Sequence, residues 1–268
     1  MVAGAAVPGM AAVPVLICLL GNFRVLKAGL PVPVRPGGKV EALLCVLSLA
    51  HDRGVPRDAL LSALWPNSDG TLAGQSLNSL VYSVHRLLGE AIGGAPPVVR
   101  RDGSYCLNFE AGIMVDFLCF DRLVAVSDEC LRAGLVERAM AGYAEAVALY
   151  QGGLWSGADL HTDTLALMER ERLRAQYLSL LARLAQDAFD HGRYDECLEC
   201  ASRILADDPC REDAHRLAMR CYVRRGERAQ ALRQYRLCQA VLRREFEMSP
   251  EPATQLLFEQ IRLSPESA

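Results

Sequence analysis

The chain has 268 residues, 51% hydrophobic and 23% charged, which fits a globular protein of roughly two domains and excludes extended disorder away from the ends. A formal net charge of −3 argues against a wholly basic nucleic-acid coat while leaving room for a local basic face. The apolar opening Met1–Leu20 lacks a preceding basic residue and is broken by Pro8, Gly9 and Pro14, so neither a signal peptide nor a bilayer span is expected there. No other stretch reaches the about 20 apolar residues a span needs, and a cytoplasmic location with no membrane partner follows.

Residues 1–12 are expected to be a flexible N-terminus. Val15 to Leu20 and Phe23 to Leu26 are β-rich runs around Gly21-Asn22, with a turn at Lys27 to Gly29 and a short strand at Pro31 to Val34, a small antiparallel sheet. Lys39 to Ala50 puts Val40, Leu43, Leu44 and Leu47 on one helical face, and Pro56 to Leu64 makes a second helix. Asp69-Gly70 interrupts the chain before a third helix, about Ala73 to Leu88. That helix buries Leu77, Val81, Val84 and Leu88 and offers Gln75, Ser79, Tyr82, Ser83 and Arg86 on its opposite face.

After Gly93-Gly94-Ala95-Pro96-Pro97, the run Val98 to Leu107 holds two β-capable segments around Asp102-Gly103, a hairpin carrying Arg100 and Arg101. Sheet, three helices and hairpin is the order of a winged helix of the response-regulator output type. An α-helix fits the major groove of double-stranded DNA, and an Arg-bearing hairpin can reach the backbone beside it. Up to Glu110 nine basic residues stand against seven acidic ones, so any DNA contact is expected in this first half.

The second half is all helix by periodicity: Val115 to Leu131, Val136 to Leu149, Asp163 to His191, Arg193 to Leu205, Arg211 to Arg225, Glu227 to Phe246 and Ala253 to about Leu263. Within it, Gly192-Arg-Tyr-Asp-Glu-Cys-Leu nearly repeats as Gly226-Glu-Arg-Ala-Gln-Ala-Leu after 34 residues, the length of one tetratricopeptide helix pair. Glycine ends one helix and small residues after it let the next pack closely. Stacked hairpins of this kind serve as docking surfaces. Arg224, Arg225, Arg228, Arg233 and Arg236, with only Glu227 nearby, form a basic cluster there.

Catalysis has no foothold in the sequence. Gly37-Gly38-Lys39 lacks the rest of a phosphate-binding loop, no G-x-S-x-G elbow occurs, and five scattered histidines include no HExxH. Ten cysteines spread among Ala- and Leu-rich helices read as reduced and mostly buried. Cys197 and Cys200 form a lone CxxC inside a predicted helix without a second ligand pair, so no metal and no cofactor is expected.

Two sets of motifs resemble the bacterial transcriptional activator family that includes the Streptomyces antibiotic regulatory proteins. In the first half these are Leu19-Leu20-Gly21 with Phe23 and Val25, Lys39 with Ala42-Leu43-Leu44, Asp58-Ala59-Leu60 and Ala63-Leu64-Trp65, the helix Leu77 to Gly89, and the wing with Gly103 and Tyr105. In the second half they are Ala148-Leu149-Tyr150, Gly152-Gly153-Leu154, Glu169 to Arg174, Gly192-Arg193-Tyr194, Asp208-Pro209, Arg211-Glu212, Ala231 to Tyr235 and Ser249-Pro250-Glu251-Pro252. Their order and spacing cover Val15 to Leu263.

The resemblance implies a mainly α protein: an N-terminal winged helix-turn-helix with small antiparallel sheets at residues 13–114, an all-α tetratricopeptide-like activation domain at 115–264, and a tail at 265–268. It implies binding to promoter DNA, recruitment of RNA polymerase through the loop Trp65 to Gly74, and a homodimer or cooperative pair on DNA. It implies no enzymatic activity. The DNA-binding candidates are Gln75, Asn78, Ser79, Tyr82, Ser83, His85 and Arg86 on the third helix, Arg100 and Arg101 in the wing, and Lys39 at the first helix. The sequence departs from the family twice. Tyr82 to Leu88 keeps one arginine where relatives carry several cations, which lowers phosphate affinity, and Glu247 replaces a glycine before the Pro-containing turn. A protein-interaction scaffold whose winged helix has lost DNA affinity is the alternative that the first departure raises.

Overall fold

A computed structural model describes residues 13–66, 70–155 and 164–263 of the chain. The ends expected at 1–12 and 265–268, part of the loop Trp65 to Gly74, and the helix start expected at Asp163 lie outside the described residues. The chain divides into two compact units, Met1–Leu135 with Glu145–Arg174 and Val136–Ala144 with Ala175–Ala268. It is mainly α-helical, with its two small sheets confined to the N-terminal part.

In the first unit, β1 (Val15–Cys18), β2 (Arg24–Lys27) and β3 (Leu30–Val32) form the expected antiparallel strands. Ala28 and Gly29 both take positive φ, at 46° and 80°, the backbone that a tight two-residue hairpin requires. A fourth strand, β7 (Ile113–Val115), adds in parallel to the other side of β1, with Val15 opposite Ile113 and Ile17 opposite Val115. Now central, β1 is buried along its whole length, which explains why it reads as a continuous apolar run. The three-residue β7 escapes sequence reading because it runs straight into a helix.

The helices α1 (Lys39–Leu49), α2 (Arg57–Leu64) and α3 (Gly70–Leu88) enclose a core of Leu43, Leu44, Leu47, Leu60, Leu64, Leu77, Val84 and Leu88. A second sheet of order β4-β6-β5 joins them, built from β4 (Val55–Pro56), β5 (Val98–Arg101) and β6 (Ser104–Leu107). Pro56 therefore closes a short strand opposite Ser104 instead of starting α2. As a proline it forfeits no ladder donor at this edge.

The join between strand and helix depends on Asp116, the first residue of α4 (Asp116–Arg132). Its buried carboxylate accepts hydrogen bonds from the backbone amides of Leu19 at 2.8 and 2.9 Å, Leu20 at 2.8 Å and Phe117 at 2.8 Å. The amides at the exit of β1 would otherwise be sealed from water without an acceptor. Burial pushes the Asp116 carboxyl up to about 6, although the three amides and Arg24 pull the other way.

A later segment, Gly152 to Trp155, returns to the same strand exit. Leu154 bridges Leu20, the Gly21 amide donates to Gly153 O at 3.1 Å, and the Trp155 amide donates to Leu19 O at 2.6 Å. The Trp155 indole donates to Glu41 Oε1 at 2.8 Å, and the buried Glu41 also accepts from the Gly37 amide at 3.0 Å. Backbones approach so closely that a Cβ on Gly152 would lie 3.2 Å from Gly21 Cα, and one on Gly21 would lie 3.2 Å from the Gln151 backbone. The motifs Leu19-Leu20-Gly21 and Gly152-Gly153-Leu154 are thus two halves of one contact. Likewise Arg172, within the motif Glu169 to Arg174, forks onto both Asp121 oxygens at 2.9 and 2.7 Å and pairs with Glu169 at 2.6 Å.

In the second unit, the helices α7 (Tyr194–Asp207), α8 (Glu212–Arg224), α9 (Arg228–Phe246) and α10 (Pro252–Leu263) stack with residues of α5 (Val136–Leu149) and α6 (Thr164–Asp190). Gly192 and Gly226 take φ of 73° and 77° at the ends of the first helix of each hairpin, the left-handed stop that the repeat predicts. Repeat-related positions enter the core in register: Ala185 with Met219, and Cys197 with Ala231, are all fully enclosed or nearly so. All ten cysteines are free thiols. Cys197 belongs to the core beside Cys221 and Leu217, and no group of metal-ligating side chains occurs among the described residues.

The basic cluster expected around Arg225 is dispersed. Arg225 pairs with Asp195 and Glu227, Arg228 donates to Ile261 O at 3.0 Å and caps the end of α10, and Arg233 donates to Gln230 at 3.0 Å. Glu247 adopts the left-handed cap, with φ 56° and ψ 26°. The geometry is retained at the cost of a Cβ clash with the carbonyl.

Asp116→Ala removes the acceptor of three buried amides and is expected to lower unfolding free energy by about 2–4 kcal/mol in urea titrations. Because the folded Asp116 pKa of about 6 lies above the ordinary 3.8, its contribution is complete below pH 3.8 and lost as pH rises through 6. The stability of wild type relative to Asp116→Asn should therefore fall by roughly 3 kcal/mol across that window. Glu247→Gly should raise stability by about 1 kcal/mol, seen as a higher Tm, whereas Glu247→Ala should not.

Candidate nucleic-acid interface

The surface of α3 is set by its own periodicity. Ala73, Leu77, Val84 and Leu88 are buried and Val81 is half-buried, which turns Gln75, Asn78, Ser79, Tyr82, Ser83 and Arg86 to the exposed side. These six recur at intervals of three and four along the helix and so share one stripe. No carboxylate occurs anywhere in α3. A single positive charge at Arg86 accordingly sets the sign of the face, and Arg86 makes no ion pair among the described residues.

The stripe mixes apolar and polar groups. Tyr82 is 62% exposed and Leu72 64%, large values for apolar side chains. Ser83 Oγ donates to Ser79 O and Ser76 Oγ to Leu72 O, both at 2.9 Å, so each hydroxyl keeps lone pairs free to accept from outside. Trp65 at the end of α2 faces Leu72, Gln75, Ser76, Ser79, Leu80 and Ser83 across an open groove. At the other end of α2 the Arg57 guanidinium lies directly against Gly74, where α3 carries no side chain. Sequence reading passed over Arg57; its position as the first helical residue after Pro56 was the available signal.

His85 stands apart from the stripe. It is half-buried, its ring rests on Gly89, and its Nδ1 is enclosed without a hydrogen-bond partner among the described residues. Lys39 is exposed at the first turn of α1, on a different element.

The hairpin β5–β6 turns through Asp102 and Gly103 at φ 49° and 82°, with Arg101 opposite Ser104 and Arg100 opposite Tyr105. Two successive positive φ values define a type I′ turn, whose twist matches the strands. The Arg100 guanidinium lies 5.3 Å above the Tyr105 ring, which steers it without neutralising it. Arg101 pairs with Glu110 at 2.8 Å, yet both side chains are exposed. Such a pair is worth about 0–1 kcal/mol and exchanges readily for another anion. β5 packs against α3, so the wing and the stripe belong to one structural block.

A winged helix followed by tetratricopeptide-like hairpins defines a class of bacterial regulators with a reading head and an attached helical domain. Residues 115–262 match the family described as bacterial transcriptional activator domain. The chain belongs to that family, among transcriptional regulators of the Streptomyces antibiotic regulatory protein type. It is 26% identical over 246 residues to the transcriptional regulatory protein MoaR1 of Mycobacterium bovis (strain BCG / Pasteur 1173P2), covering 90% of this chain and 75% of that protein. It is 24% identical over 225 residues to the regulatory protein DnrI of Streptomyces peucetius, covering 82% of each. Among solved structures, Mycobacterium tuberculosis EmbR, in complex with a low-affinity phosphopeptide, shares the fold with a TM-score of 0.73 at 22% identity, over 95% of this chain and 68% of that one. No described helix is long and apolar enough to cross a membrane.

Proposed function

We propose that this chain is a cytoplasmic activator that reads double-stranded promoter DNA with α3 and the β5–β6 wing, and that residues 115–264 hold a second protomer and help retain RNA polymerase at the promoter. No catalysis and no cofactor enter this reading. The observation that carries it is the carboxylate-free exposed stripe of α3 beside an arginine-bearing type I′ wing, in a chain of the activator family. Arg86 and Gln75 suit base edges, since arginine and glutamine pair bidentately with guanine and adenine. Ser79, Ser83, Arg100 and Arg101 suit phosphates, which position a reader without specifying sequence. Asn78 and Tyr82 extend the same stripe, Lys39 adds a backbone cation from α1, and His85 contributes through its packing on Gly89.

With so few cations, a single protomer gains little from counterion release. Two protomers on one operator double that gain, which favours a cooperative pair.

Titrating the full chain against its own upstream DNA and a scrambled duplex at about 0.15 M salt tests the reading, because a specific reader must discriminate at that ionic strength. Equal weak binding to both would favour the interaction scaffold instead. Arg86→Ala should cost about 1–3 kcal/mol of specific binding. Glu110→Gln, which releases Arg101, should strengthen binding and steepen the slope of log K against log salt by up to about 0.9.

A further inference from the structure

The 34-residue repeat places side chains in rows as well as in the core. Ala182 and Gln186 of α6 are repeat-equivalent to Arg216 and Arg220 of α8, and all four line one groove of about 390 Å³ in the second unit. Its floor is apolar, made by Ile204 of α7 with Ala214 and Leu217 of α8. A concave site with an apolar floor and few polar groups is the usual form of a ligand pocket.

The charges of this groove are unequally committed. Asp213 is held by Arg211 at 2.8 and 2.5 Å. Arg216 is fixed by Glu251 and by Thr254 Oγ1, both at 2.9 Å. Gln186 donates to Asp190 at 2.8 Å, which orients its amide on the α6 side. Arg220 is exposed and has no carboxylate partner among the described residues. It is thus the one guanidinium lining the groove that is not already neutralised there. A planar fork of donors above an apolar floor matches a carboxylate flanked by aliphatic side chains.

We propose that the α6–α8 groove is a docking site for an acidic peptide segment of a partner protein, with a carboxylate on Arg220, support from Gln186, and an apolar side chain over Ile204 and Leu217. The occupant is argued from charge complementarity. The site lies wholly in the second unit and needs neither DNA nor the α3 stripe, so it stands or falls separately from promoter reading.

The probe is a fluorescein-labelled decapeptide of alternating Glu and Leu, compared by anisotropy with its Gln–Leu counterpart, against the full chain. Saturable binding of the acidic peptide is expected, weakened at least tenfold by Arg220→Glu, weakened by salt, and lost in the Gln–Leu peptide. Arg220→Gln should fall between wild type and Arg220→Glu. Unchanged thermal unfolding and unchanged DNA binding of each variant show that the fold persists. No saturable binding, equal affinity for both peptides, or indifference to Arg220→Glu would overturn the proposal. The same acidic peptide captured equally by Arg100→Ala and wild type excludes the wing as its site, whereas loss in Arg100→Ala would also overturn it.

Discussion

Two backbone amides, those of Leu19 and Leu20, govern how the first unit is put together. They leave β1 with no strand to pair them and no water to reach them. The Asp116 carboxylate serves both of them, together with the Phe117 amide, from the first turn of α4, where the helix dipole also favours negative charge. Once that carboxylate is fixed, β7 must arrive parallel to β1 immediately before it. The path of α4 away from the sheet follows. The cost is a buried anion, visible in the raised Asp116 pKa, so the junction trades electrostatic comfort for a single geometry.

Much of the architecture was legible because it is written in local periodicity. The boundaries of α5 read as Val136–Leu149 from sequence and structure alike, since its apolar face of Ala139, Tyr143 and Ala146 has no competing pattern. Gly192 and Gly226 marked the hairpins because only a left-handed residue lets the chain reverse there. What sequence could not show are the pairings that join distant segments. β7 is too short for a period, β4 is two residues of which one is a proline, and the contact of Trp155 with Glu41 spans 114 positions. Lone charges were equally opaque: Arg225 and Arg228 looked like a patch until Asp195 and the end of α10 came into contact with them.

The candidate interface divides along the same line. The stripe on α3 was readable, because helical spacing alone decides which residues share a face. The withdrawal of His85 was not, since it depends on the absence of a side chain at Gly89. Nor was the state of the wing arginines, one stacked on Tyr105 and one paired with Glu110. An interface of this kind relies on positioned polar groups more than on charge density, so its discrimination between sequences should survive salt better than its overall affinity.

The close approach of Gly21 to Gly152 has a consequence for how such regulators can be rearranged. Both residues lie in the first unit, though they stand on opposite sides of the boundary that a domain-by-domain reading would cut. A winged helix exchanged between relatives at that boundary would arrive with one glycine and leave the other behind. Any donor with a side chain at either position would separate the two backbones and unseat Trp155. The portable cassette of this chain is therefore discontinuous in sequence, and exchange is expected to succeed only with a donor that keeps the same seam.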